Sequence, residues 1–302
     1  MEEPTPPDES DCCNSGCNPC ILDVYEEQLR KYKANKADLL HKKGKNCISQ
    51  TTYTIFKCIE RIRHTDNSYL FIFEYYKPYR ESTMDSNDRF NEDLHLNYKP
   101  GQHFLLRTPE KYYEHFTRAY TPIPFDNLTP LSFCVLIKLY EGGIMSRYLR
   151  NIDVGSETLW RGPYYDFDID YTYKFVLMVA QGTGIAPLYA ILKEMLNNDE
   201  CETFIKLFYC CRSSNDIFLR EELYGCLSYW NFTYEVFLSV NDGVNVKYNE
   251  IIHDYKLDKG YIKSYLSDKS NRSTRVLICG NDLFIKGVSE DLVELNVSVC
   301  TF

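Results

Sequence analysis

Short apolar runs alternate with polar turns between Cys47 and about Asp166. Tyr53–Arg61, Tyr69–Tyr76, Phe104–Thr108 and Ser132–Tyr140 are rich in β-branched and aromatic residues, which suit a pleated, half-buried surface. Lys99-Pro100-Gly101-Gln102 is a turn signal, and residues 80–97 are polar without periodicity, which predicts a long exposed loop. Trp160-Arg161-Gly162-Pro163-Tyr164 reads as a strand ending in a tight turn. Several antiparallel strands joined by turns predict a small barrel. From Tyr173 the pattern changes. Continuous apolar strands at Phe175–Ala180, Thr203–Cys211, Phe232–Val240 and Arg275–Cys279 alternate with amphipathic helices at Leu188–Leu196, Asp216–Trp230, Tyr261–Asp268 and Leu283–Leu295. That alternation predicts a parallel sheet covered on both faces. Before Cys47, Ile21, Leu22, Tyr25, Leu29 and Tyr32 fall at helical spacing, and a helix from Ile21 to about Lys43 is expected.

The chain has 302 residues, too many for one small core, so the pattern divides into residues 1–46, 47–168 and 169–302. Its net charge of −9 argues against nucleic acid as the main partner and against a polybasic membrane anchor. No run of about 18 apolar residues predicts a transmembrane helix. The acidic start, Met1-Glu2-Glu3-Pro4, is the opposite of a signal peptide or presequence, and no lipidation motif is present. A soluble, cytoplasmic, monomeric protein is expected, with organelle or peripheral membrane association left open. The 13 cysteines then read as reduced thiols.

Four of those cysteines lie in Cys12-Cys13-Asn14-Ser15-Gly16-Cys17-Asn18-Pro19-Cys20. Four thiolates so close could hold a soft metal. The alternative is a cysteine-rich turn or a redox-labile pair. Adjacent Cys12 and Cys13 point in different directions and no second ligand pair follows, so no metal is assigned. Residues 30–45 are basic, which fits a solvated face or linker more simply than a docking patch.

Three short motifs bear chemistry in the barrel region. Arg118-Ala119-Tyr120-Thr121-Pro122 would by itself be an ordinary strand. Leu136-Ile137-Lys138-Leu139-Tyr140 leads to Gly142-Gly143-Ile144-Met145-Ser146, where glycines let backbone approach a ligand and Ser146 opens a helix. A helix start offers free N–H groups to a phosphate. In the second region, Gly182-Thr183-Gly184-Ile185-Ala186-Pro187 lies at a strand end, where ligands of parallel sheets bind. It is not the common dinucleotide fingerprint, because Pro187 replaces the last glycine.

In this order and spacing, these motifs resemble the ferredoxin reductase superfamily, most closely the NADH–cytochrome b5 reductases. Residues 1–46 resemble an oxidoreductase-like N-terminal module found on a divergent branch of them. The resemblance implies a six-stranded FAD-binding β-barrel followed by a parallel α/β domain that binds NAD(P)H. It assigns FAD to Arg118, Ala119, Tyr120, Thr121, Pro122, Ile137, Lys138, Tyr140, Gly143, Met145 and Ser146. Arg118 would contact the pyrophosphate, Tyr120 the ring or ribityl chain, and Thr121 the flavin edge. It assigns the nicotinamide dinucleotide to Gly182, Thr183, Gly184, Pro187, Arg212, Cys279 and Gly280, with Phe302 as the family's aromatic C-terminus. Thr121, Thr183 and Cys279 would border the hydride transfer. The implied reaction carries electrons from NADH, with NADPH as the alternative donor, through FAD to a one-electron acceptor such as cytochrome b5.

Departures from the family pattern bear on this reading. Ile144 stands where the family has Lys, and Asn281-Asp282-Leu283-Phe284 replaces a proline-rich stretch after Cys279-Gly280. Arg212 could meet a 2′-phosphate, but Asp242 stands where NADPH enzymes carry a second arginine, which favours NADH. The charge of −9 discourages an acidic cytochrome unless basic residues cluster locally. A flavoprotein serving an iron–sulfur protein or quinone, and a cofactor-free module, are the alternatives.

Overall fold

The computed structural model describes residues 4–7, 11, 20–34, 45–77, 94–109, 115–240 and 242–302. Cys12, Cys13 and Cys17, the end of the expected first helix, most of its basic run, and most of the expected loop 80–97 lie outside the described residues. Among the described residues no group of three or more His, Cys, Asp or Glu could hold a metal ion, and no helix is long and apolar enough to cross a membrane. The described chain divides into two compact units: residues up to Asp166 other than 64–66, and residues 64–66 with Phe167–Phe302.

The first unit opens with α1 (Ile21–Ala34). Two short strands follow, β1 (Lys45–Asn46) and, later in the chain, β4 (Leu94–His95), which pair in parallel. The main sheet uses β2 (Thr54–Arg63), β3 (Ser68–Tyr75), β5 (His103–Arg107), β6 (Thr117–Tyr120), β7 (Pro122–Ile123), β8 (Ser132–Lys138) and β9 (Glu157–Tyr164) in the order β6-β5-β9-β2-β3-β8-β7. Every pairing is antiparallel. Seven strands stand where six are expected, because one extended run is interrupted at Thr121. Its first half, β6, pairs with β5, and its second half, β7, pairs with β8. The two edge strands of the sheet are therefore consecutive in the chain, which closes the barrel and leaves no long free edge.

The aromatic content gathers inside. Phe56, Phe71, Phe73, Phe104, Phe133 and Trp160 are each 0% exposed. Phe133 meets Phe104 edge-on at 4.9 Å and Trp160 at 5.0 Å. Each buried aromatic contributes roughly 1.5–3 kcal/mol by removing apolar surface from water. The indole N–H of Trp160 donates to Thr158 Oγ1 at 2.8 Å, and Thr158 donates to the Phe56 carbonyl at 2.7 Å, so the indole's polar edge is satisfied inside this core.

α2 (Ile144–Arg150) lies between β8 and β9. It starts two residues before Ser146, with Gly143 as its cap. Ser146 instead turns back and accepts the Tyr140 N–H at 2.9 Å.

The second unit holds β10 (Phe175–Gln181), α3 (Ile185–Leu196), β11 (Phe204–Cys211), α4 (Arg220–Cys226), β12 (Phe232–Leu238), β13 (Ile251–His253), α5 (Lys259–Leu266), β14 (Thr274–Cys279), α6 (Asp282–Val293) and β15 (Ser298–Thr301). Its six strands are all parallel, in the order β13-β12-β11-β10-β14-β15. The helix expected over Asp216–Trp230 shrinks to α4. Leu219 takes φ 56°, a left-handed conformation that breaks the helix, and buried Phe218 draws the chain into the core. β15 follows a segment without a strong strand pattern and is an addition to the expected set.

Candidate functional site

The order of the parallel sheet locates its binding crevice. β10 has β11 on one side and β14 on the other, so the order in which successive strands are added reverses between β10 and β14 while all strands stay parallel. Open α/β sheets bind ligands at the carboxyl ends of strands beside such a point. The loop after β10 is Gly182-Thr183-Gly184, one 3-10 turn, and the loop after β14 is Cys279-Gly280-Asn281. The two loops interlock through glycine. A Cβ on Gly184 would lie 2.6 Å from the Cys279 carbonyl oxygen and 2.7 Å from its carbon. A Cβ on Gly280 would lie 2.6 Å from the Phe284 ring and 3.0 Å from Gln181 Cβ. Gly182 has φ 55° with open space where a side chain would be, so it needs glycine for its backbone and leaves room above it.

Side chains outside the expected set hold this turn. Tyr209, fully buried on β11, donates to the Gly182 carbonyl at 3.0 Å and accepts the Phe218 N–H at 3.2 Å. Gln181 Oε1 accepts the Asn281 N–H at 3.4 Å, which ties one loop to the other. A tyrosine inside an apolar strand is the sequence signal for the first, because its hydroxyl must find a partner. Nothing local in the sequence marks Gln181.

The remaining residues expected here take these places. Thr183 is half-buried at the centre of the turn. Pro187 is buried in the first turn of α3, where its missing N–H costs nothing. Cys279 is 8% exposed, and burial pushes its thiol up to about 12, so it is neutral at working pH. Asn281 caps α6 by accepting the Phe284 N–H at 2.9 Å, and Asp282 follows in the first turn. Arg212 is exposed just after β11, and its carbonyl accepts the Val240 N–H at 2.9 Å. Beyond the end of β12, Asp242 reaches this turn and accepts from the Ser214 N–H at 2.9 Å and its hydroxyl at 2.6 Å, and these bonds hold its carboxyl below the usual range. Phe302 donates its N–H to the Ile278 carbonyl at 3.0 Å and packs its ring on Phe167 at 5.0 Å.

In the barrel, Arg118, Ala119, Tyr120, Thr121 and Pro122 lie on the interrupted strand that closes the sheet. Arg118 and Ala119 are exposed. The Arg118 guanidinium donates to the Thr117 carbonyl at 2.9 Å and lies over the Phe116 ring at 4.8 Å. Tyr120 is half-buried with its ring 6.0 Å from Trp160, and burial pushes its hydroxyl well above the ordinary value. Thr121 sits at the interruption itself, belonging to neither strand. Pro122 and Ile137 are buried, and Ile137 is 1% exposed in the aromatic core. Lys138 ends β8, and Tyr140, 58% exposed, is joined to α2 by its N–H bond to Ser146. A Cβ on Gly143 would crowd Ser146 Oγ at 3.2 Å. The first helical bond of α2 is Arg147 N–H to the Gly143 carbonyl, so the amides of Met145 and Ser146 belong to the unpaired helix start.

The residues present fit the expected groups in kind: the first unit carries a cation, an aromatic ring and helix-start amides, and the second a glycine turn open above Gly182.

Comparison with known proteins agrees. Residues 88–169 match the oxidoreductase FAD-binding domain, 178–290 the oxidoreductase NAD-binding domain, and 1–40 the N-terminal oxidoreductase-like protein family. The human NADH-cytochrome b5 reductase-like protein is 32% identical over 302 residues, covering 96% of this chain and 90% of that protein. NADH-cytochrome b5 reductase 1 of Candida albicans is 32% identical over 249 residues, covering 80% of this chain and 75% of that protein. The cytochrome b5 reductase domain of Ulva prolifera nitrate reductase shares the fold, with a TM-score of 0.68 and 22% identity over 85% of this chain and all of that one.

Proposed function

The chain belongs to the NADH-cytochrome b5 reductase-like family of FAD- and NAD-binding oxidoreductases, and we propose that it oxidises NADH and delivers the electrons singly to a haem protein of the cytochrome b5 type. FAD, when bound, supplies the change from a two-electron hydride donor to one-electron output. The chain's residues bind and orient. Arg118 offers charge to the pyrophosphate, together with the amides of Met145 and Ser146 at the start of α2. Tyr120 presents its ring, and Thr121 presents its hydroxyl from the interruption between β6 and β7. Ile144 offers no charge, so Arg118 bears more of the phosphate interaction than it would beside a lysine.

The interlock of Gly184 with the Cys279 carbonyl supports the nicotinamide half most strongly, because it places Thr183 and Cys279 on adjoining loops. A neutral, buried thiol takes no part in proton transfer. Cys279 acts by shape, as a small soft wall that leaves the reacting carbon accessible. Hydride transfer needs no acid–base pair, so none is missing. Asp282 puts a negative charge at the start of α6, which leaves the dinucleotide phosphates to the Gly182–Gly184 turn and the start of α3. Asp242, which follows β12 and bonds to the Ser214 turn after β11, repels a 2′-phosphate and favours NADH over NADPH, while Arg212 alone is too exposed to reverse that preference.

Cytochrome b5 as acceptor is supported by charge that bulk composition hides. Arg61 donates to the Arg150 carbonyl at 3.3 Å, Arg150 donates to the Tyr140 carbonyl at 3.0 Å, and Arg147 is exposed on the same short helix. Three arginines thus gather on a chain of net charge −9. The test mixes NADH-reduced protein with cytochrome b5, a ferredoxin or a quinone in stopped flow. Fast reduction of cytochrome b5, slowed by salt, is expected. Faster transfer to the ferredoxin or quinone would overturn the acceptor assignment.

A further inference from the structure

The outer face of the barrel carries buried polar atoms that neither cofactor site uses. Arg161 of β9 is the cross-strand partner of Leu105 of β5, and Arg107 of β5 lies opposite Thr117 of β6. Alternation along β5 turns these side chains away from Phe104 and Leu106 in the aromatic core. α1 covers part of this face, with Val24 packed on Leu105 and Tyr164.

Arg161 is 1% exposed, yet its Nε and Nη1 have no hydrogen-bond partner among the described residues. The Nε of Arg107 and the hydroxyl of Thr117 are buried in the same condition. The two guanidinium groups share the ring of Tyr53, with Cζ 4.0 Å from its centroid for Arg107 and 5.0 Å for Arg161. A ring face attracts cations but does not replace the acceptors their N–H groups need. Arg107 Nη1 meets the Asp11 carboxylate at 3.2 Å, whereas Arg161 has no such carboxylate among the described residues.

A buried cation with unbonded N–H groups is costly unless an anion completes it. We propose that Arg161, Arg107 and Thr117 form an oxyanion site of the phosphate class on the outside of the barrel. Their unbonded N–H and O–H groups are more than the two oxygens of a carboxylate serve well, and a phosphate brings at least three strong acceptor oxygens. Asp11 and α1 border the site.

The test uses the full, FAD-loaded chain and follows thermal unfolding while inorganic phosphate replaces chloride at constant ionic strength, with acetate as a parallel arm. A saturable rise in Tm is expected, about 5–10 °C at a hundredfold excess over the midpoint. In phosphate-free buffer Arg161→Met is as stable as the parent or more so, because an apolar chain replaces an unpaired charge, and phosphate no longer raises its Tm. An equal rise in Arg161→Met, no saturable rise in the parent, an acetate response as large as the phosphate one, or a fall in the variant's Tm without phosphate would each overturn the site. Should Arg161→Met fail to fold, Thr117→Val leaves both guanidinium groups in place and weakens the phosphate midpoint severalfold, and an unchanged midpoint there would equally overturn it.

Discussion

Gly184→Ala tests the nicotinamide half with one carbon atom. Gly184 has φ −61° and ψ −6°, which alanine adopts freely, so backbone strain plays no part. The added Cβ would meet backbone at 2.6 Å and 2.7 Å on Cys279 and at 3.0 Å on the Gly280 nitrogen, well inside ordinary contact. None of these atoms can turn aside as a flexible side chain would, so one loop must retreat by roughly 0.7 Å to restore ordinary packing. Overpacking of this kind costs about 1–3 kcal/mol. If that cost falls on the conformation that holds NADH, the affinity drops by about 5- to 150-fold. A comparable misplacement of a reacting group costs up to about a hundredfold in rate. Anaerobic stopped flow reads both, as the NADH concentration giving half-maximal flavin bleaching and as the limiting rate. FAD content stays at the parental level, because Gly184 lies outside the flavin half. Gly225→Ala on α4 is the control: its Cβ meets nothing within 4 Å, and the parental bleaching is expected there. Parental bleaching by Gly184→Ala would show that the approach of the two loops does not hold the dinucleotide.

Four further outcomes follow from the same geometry. Arg118→Ala is expected to lose FAD on gel filtration, since it removes the cation proposed to meet the pyrophosphate and the neighbouring Ile144 brings no charge; full FAD retention would refute that role. Cys279→Ala keeps its FAD but is reduced more slowly by NADH. Because the thiol is pushed up to about 12, the parental reduction rate shows no cysteine titration between pH 6 and about 9, and a titration in that window that vanishes in the variant would contradict the assignment. Asp242→Asn raises the kcat/KM for NADPH relative to NADH, whereas an unchanged ratio would show that the Ser214 turn does not meet the adenosine ribose. Glu250 connects Arg220, the Tyr234 hydroxyl and the Lys247 amide. Burial alone would raise its carboxyl, but these bonds outweigh burial and hold it below the ordinary value of 4.5. Its stabilisation is therefore present above about pH 4.5 and fades as the pH falls through the lower folded value. Glu250→Gln should lose about 3 kcal/mol in urea unfolding at pH 7, with the gap from the parent closing in acid.

The parallel half was legible in outline because each apolar strand is continuous and each loop carries its own glycine. Gly184 and Cys279 lie far apart in the chain, yet parallel pairing of Ala180 with Cys279 brings both strand ends to one level. The barrel was legible as strands but not as a count, since nothing before Thr121 announces that the run changes partner there. α4 was overextended because a helical pattern cannot reveal that Leu219 adopts a left-handed conformation. Arg161 reads as part of a turn in sequence. Its burial emerges only when β5, β6 and β9 are neighbours and α1 lies across them, contacts set by long-range pairing. Ser146 was expected to open the helix, but α2 opens two residues earlier with Gly143 as its cap, and the Ser146 hydroxyl serves the Tyr140 amide.

Anaerobic titration of the purified, FAD-loaded chain with NADH, followed by its visible spectrum, tests the proposed NADH oxidation through FAD most directly. A yellow protein is expected whose flavin band bleaches in proportion to added NADH, one equivalent per flavin, with NADPH much less effective. A chain that cannot be loaded with FAD, or whose flavin band NADH leaves intact, would contradict it.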